Sequence, residues 1–97
     1  MLINSREESV FPLPEGADAI SRFIKEVPNL PGVYRFIDGS KKYLYIGKAK
    51  SLDKRLASYF RESSRTKKIN KLIEEAQYIE LSLTNTELES LLYEQFL

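Results

Sequence analysis

The 97-residue chain contains neither cysteine nor histidine. The first absence excludes disulfides and thiolate metal sites. The second excludes Ser-His-Asp and Cys-His catalysis and every imidazole metal ligand. An enzyme built from this chain must move protons with Tyr, Lys, Asp or Glu. Any metal it holds should be a hard cation on carboxylate oxygen and water, such as magnesium or manganese. No apolar run is long enough to span a bilayer, so no membrane role is expected. The polar, acidic start MLINSREESVF is no signal peptide.

The small net charge of +1 hides an uneven distribution. Residues 41–71 carry eleven Lys or Arg against Asp53 and Glu62, whereas residues 72–97 carry six Glu and no Lys or Arg. Phosphates attract such a basic block and release counterions on contact, which points to a polyanion partner.

Local patterns give an α+β domain. Residues 1–15 lack periodicity and contain Pro12 and Pro14, which suits a flexible tail. Residues 16–97 read as one domain. Ala19, Ile20, Phe23, Ile24 and Val27 form one helical stripe that Pro28 stops. Val33–Ile37 and Tyr43–Ile46 are β-rich around the turn signal Asp38-Gly39-Ser40. A loop over residues 38–41 would set Tyr34 opposite Tyr45, and a two-residue loop at 38–39 would set it opposite Tyr43. Ser51 is a candidate N-cap for a helix to about Phe60 carrying Leu52, Leu56, Tyr59 and Phe60, with Arg55 at the stripe's edge. A second helix over Thr66–Gln77 turns Ile69, Leu72, Ile73 and Ala76 inward and Lys67, Lys68 and Lys71 outward. Tyr78–Leu83 alternates as a third strand. Thr86 to Glu89 fits a capping box opening a last helix with Leu88, Leu91, Leu92 and Phe96 as its stripe. The order is α-β-β-α-α-β-α around a small sheet. Ending on an apolar helix at Leu97 suggests a domain from a longer chain, with a short natural protein as the alternative.

The stretches Leu30-Pro31-Gly32-Val33-Tyr34 and Tyr45-Ile46-Gly47-Lys48-Ala49-Lys50 carry the chemistry. Cleaving a phosphodiester requires a water to lose a proton, charge on the phosphorus oxygens to be stabilised, and a cation or proton for the leaving oxygen. Without histidine, the groups available are Tyr34, Tyr45, Lys48, Arg55, Tyr59 and Glu94. A tyrosine with a pKa of about 10 is a poor base at neutral pH, and a nearby metal and Lys48 would favour its phenolate. Arg55 can grip two phosphate oxygens in a fork.

Gly32-Val33-Tyr34 with Tyr45-Ile46-Gly47 resembles the paired motif of the GIY-YIG endonuclease family. Gly47-Lys48-Ala49-Lys50-Ser51-Leu52, Arg55 and Tyr59 are similar to its UvrC-like branch, which includes the N-terminal domain of UvrC and the shorter protein Cho. The likeness covers residues 28–97. It implies a three-stranded antiparallel sheet flanked by helices, and hydrolysis of DNA with one divalent cation, Mg2+ or Mn2+. It implies that Tyr34 and Tyr45 line the catalytic site, one acting as or relaying to the general base, with Lys48, Arg55 and Tyr59 completing it. It assigns the metal to Glu94 and the motif geometry to Gly32 and Gly47. Phe96 stands where many UvrC proteins carry asparagine. Lys50, Lys54, Arg61, Lys67, Lys68 and Lys71 are the remaining candidate DNA contacts. The resemblance further implies 3′ incision in nucleotide excision repair, a UvrB–DNA complex as partner, a monomeric isolated domain and a bacterial cytoplasmic location. The alternative is a non-catalytic DNA-binding or docking module of the same fold.

Overall fold

A computed structural model describes residues 8–61 and 66–84. The elements are β1 (Glu8–Pro12), α1 (Ala17–Glu26), β2 (Gly32–Asp38), β3 (Tyr43–Ala49), α2 (Leu52–Phe60), α3 (Lys67–Glu75) and β4 (Ala76–Leu83). The capping box from Thr86, the last helix and Glu94 lie outside the described residues.

The four strands form one antiparallel sheet in the order β1-β4-β2-β3. Three strands were expected. The fourth comes from the segment read as a tail, because Glu8–Pro12 pairs along β4 with Val10 opposite Glu80. Pro12 ends that strand and Pro14 follows it, so the prolines exclude helix there without excluding an edge strand. Leu13 N–H then bonds the Gln77 carbonyl at 2.9 Å.

With β1 in place, β4 becomes an inner strand, and both of its faces are buried in part. Ile79 and Leu81 are buried, but so are Glu80 and Ser82 on the opposite face. Strand β4 also starts earlier than expected, at Ala76, directly after α3, so that helix is the shorter for it. Thr66 caps α3, its Oγ1 accepting from Ile69 N–H at 3.2 Å. Ser51 precedes α2 but makes no side-chain cap bond. Its hydroxyl donates instead to Asn29 and Asp53.

Helices α1 and α2 supply Phe23, Leu52, Leu56 and Tyr59, and Val27 follows α1, in a core shared with Tyr34, Phe36, Ile79 and Leu81 of the sheet. Leu52 and Leu56 are fully buried, each stabilising the fold by about 1.5–3 kcal/mol.

Neither expected hairpin register forms. Asp38 Oδ1 accepts from Ser40 N–H at 2.9 Å, Ser40 Oγ at 2.8 Å and Lys42 N–H at 2.9 Å. The Lys42 backbone bond leads these in holding the carboxyl below its usual range. Lys41 takes a φ of 69° to close the turn. This loop sets Ile37 opposite Tyr43, one position later than expected. A bulge then passes over Leu44, setting Phe36 opposite Tyr45 and Tyr34 opposite Gly47. Two single-residue offsets add to two, and a shift of two preserves the faces of a strand. Tyr34 and Tyr45 therefore still share a face, as diagonal neighbours.

Candidate active site

Gly47 makes that diagonal possible. A Cβ at Gly47 would lie 2.6 Å from both Cζ and Oη of Tyr34 and 2.9 Å from Cε2 of Tyr45. The space a side chain would fill is where the two rings meet, their centroids 6.0 Å apart. Gly32 serves a different approach: a Cβ there would meet the Ser82 carbonyl oxygen at 2.5 Å and Leu52 Cδ1 at 2.6 Å. It lets the start of β2 lie against β4 and α2.

Tyr59, one turn after Arg55 on α2, closes the cluster from above the sheet. Its hydroxyl lies 2.8 Å from that of Tyr34, and its ring centroid is 5.0 Å from Phe36 and 6.5 Å from Tyr45. The three tyrosines differ in access. Tyr34 is 1% exposed and Tyr59 9%, while Tyr45 is 43% exposed. Burial pushes the Tyr34 phenol well above the usual range, helped by the bond to Tyr59 and by the neighbouring phenols. Burial also raises Tyr59. The Arg55 guanidinium pulls both phenols the other way, which places its charge within electrostatic reach of the cluster.

Arg55 belongs to a second feature as well. With Lys48, Lys50 and Lys54 it lines a depression of about 570 Å3, beside Ser51 and Ser58. Four cations from the end of β3 and the first turn of α2 thus share one depression, and Arg55 among them also acts on the phenols. Lys68 and Lys71 line a separate cleft with Tyr45 and Tyr59. Lys67 opens α3 and Arg61 follows α2, both exposed. Among the described residues no three carboxylate, histidine or cysteine side chains gather to hold a metal.

The opposite face of the sheet holds a feature the sequence reading missed. Arg35 is fully buried, 3.2 Å from Glu80 Oε1 and 3.0 Å from Ser82 Oγ. Tyr43 Oη donates to the same Glu80 oxygen at 3.2 Å. The available signal was an arginine inside one β-run and a glutamate inside another, which antiparallel pairing sets side by side.

A short hairpin joined to a helix, with two tyrosines converging over the glycine of the second motif and an arginine on the helix, defines the GIY-YIG class of endonuclease domain. The family model for the UvrC-like GIY-YIG domain matches residues 30–97. The chain belongs to that family. It is 42% identical over 80 residues to UvrABC system protein C of Bartonella henselae and 49% identical over 72 residues to that of Haemophilus ducreyi, covering 82% and 74% of this chain. The chain spans only 12% of the length of each of these two relatives. The magnesium-bound GIY-YIG N-terminal endonuclease domain of UvrC from Thermotoga maritima is similar in structure, with a TM-score of 0.70 and 34% identity over 84% of this chain and 88% of that one. A point mutant of the same domain, bound to its catalytic divalent cation, matches with a TM-score of 0.70 at 33% identity, over 84% of this chain and 87% of that one. No helix among the described residues is long and apolar enough to cross a membrane.

Proposed function

We propose that this domain hydrolyses one phosphodiester of DNA with the help of a divalent cation, Mg2+ or Mn2+. The observation that carries the reading is the convergence of Tyr34 and Tyr45 over Gly47, with Tyr59 bonded to Tyr34, within the field of Arg55, which also lines a depression of lysines.

Each group has a part that its surroundings suit. Lys48, Lys50 and Lys54 hold the strand by its phosphates, without reading sequence. Arg55 grips oxygens of the scissile phosphate as charge develops on them. Tyr45, the exposed phenol, meets substrate and the attacking water. Tyr34 is buried and bonded to Tyr59, so at neutral pH it stays protonated and fixes the orientation of its neighbours. The donor chemistry fits a hard cation: phenol oxygens stand at the site, and Glu94 supplies the carboxylate from the segment beyond β4. One carboxylate suffices for magnesium, which keeps most of its waters. When bound, the cation polarises the phosphate and favours ionised oxygen at the site.

In the same reading the domain makes the 3′ incision at damaged DNA, delivered by a UvrB–DNA complex in the bacterial cytoplasm, and is monomeric when isolated. The name of its relatives, UvrABC system protein C, supports a part in that system. Glu94→Gln in the protein that carries this domain tests the reading. Nicking of damaged DNA should fall at least 100-fold while DNA binding stays within about twofold. Equal nicking by the variant would reject the metal role and favour a binding module.

A further inference from the structure

The cleft lined by Tyr45 and Tyr59, which shares no residue with the lysine depression, has its own design. It measures about 360 Å3 and opens between β3, α2 and α3, within the size range of small-ligand sites. Leu44, Ile69 and Leu72 give it apolar walls, and the rings of Tyr45 and Tyr59 form a third side. Lys68 and Lys71 stand at its rim, and Glu75 lines it one helical turn beyond Lys71.

Leu44 is there because of the bulge. It is the residue of β3 that has no partner on β2. Bulges beside active sites re-aim side chains, and this one gives the cleft its wall while keeping Tyr45 over Gly47.

We infer that this cleft is a nucleotide subsite, taking one unstacked base of the bound DNA strand next to the scissile linkage, with that nucleotide's phosphate against Lys68 and Lys71. The inference rests on the hydrolase reading and adds to it a demand on the substrate. A base inside the duplex is held by its stack and its partner, whereas a base swung out of the stack is free to enter the cleft. The exposed ring of Tyr45 offers a face on which any base stacks. The cations sit toward the start of α3 and the carboxylate toward its end, so a phosphate is drawn to the lysine side and kept from the other. Tyr45 and Tyr59 line both this cleft and the tyrosine cluster. A base held here therefore brings its own phosphodiester to the phenols and Arg55.

The test uses short DNA strands with 2-aminopurine at successive positions, titrated with the protein in EDTA so that no strand is cut. Emission should change severalfold at one position or two adjacent ones. An abasic site at the responsive position should weaken binding about tenfold. Lys68→Ala/Lys71→Ala, which touches only exposed side chains, should weaken binding and make the salt slope shallower by about 0.7, the value for one phosphate contact on a single strand. Emission unchanged at every position, with abasic sites harmless, would overturn the subsite. So would a shallower salt slope without any emission response, since α3 would then touch phosphates alone. These outcomes leave magnesium-dependent nicking intact, whereas failure of the hydrolase reading abolishes nicking and spares the emission change.

Discussion

The hydroxyls of Tyr34 and Tyr59 lie 2.8 Å apart, joining the first strand of the hairpin to the helix that follows it. This bond crosses 25 residues of chain and ties the placement of Arg55, one turn earlier on the helix, to the strand that carries the first motif.

Tyr59→Phe leaves the buried Tyr34 hydroxyl without that partner, which costs about 1–3 kcal/mol. Tyr34→Phe should cost a similar amount. The double Phe variant should lose less than the two losses added, because the second substitution removes a group already orphaned. Urea unfolding of the three variants measures this, and strict additivity would show that the hydroxyls are not coupled.

The same pair sets an alkaline limit. Both phenols are raised above their ordinary value of 10.0, so the fold stabilises their neutral forms. That contribution is complete below about pH 10 and is lost as pH climbs through the higher folded-state values. Tyr34→Phe should flatten the decline in stability above pH 10, which chemical denaturation at stepped pH reads directly.

Gly47→Ala places a methyl group 2.6 Å from the Tyr34 ring. The ring cannot yield, being packed between Phe36, Tyr45 and Tyr59. The expected cost is about 1–3 kcal/mol, with a loss of nicking larger than the fraction unfolded explains. Stability and rate measured on the same preparation separate the two effects.

On the other face, Glu80→Ala removes the carboxylate 3.2 Å from the buried Arg35 guanidinium. Breaking a buried pair from one side costs about 3–5 kcal/mol. Nicking per folded molecule should be unchanged, since Arg35 faces away from the tyrosines. A normal thermal midpoint for the variant would contradict the burial of this pair.

The site was more legible than the sheet that carries it. Tyr34 and Tyr45 were readable as partners because period-two alternation survives an even shift, even though Asp38 and the Leu44 bulge displaced the register by two. The first strand was not readable, since Glu8–Pro12 has too little alternation to declare itself and gains its partner only when β4 arrives some seventy residues later. Glu80 and Ser82 are buried as well, on the face away from Ile79 and Leu81, which the alternation of β4 did not show. Helix spacing set Lys68 and Lys71 outward, as found. What spacing does not carry is the turn between helices that brings α3 beside Tyr45.

The account rests on Arg55 acting at the tyrosine cluster rather than as one more surface cation. The direct measurement is magnesium-dependent nicking by Arg55→Ala alongside Lys54→Ala, its neighbour in the same depression. The account predicts a rate loss of 100-fold or more for Arg55→Ala beyond its effect on DNA binding, and no rate loss beyond weakened binding for Lys54→Ala. Equal, modest losses that vanish at saturating DNA would contradict it.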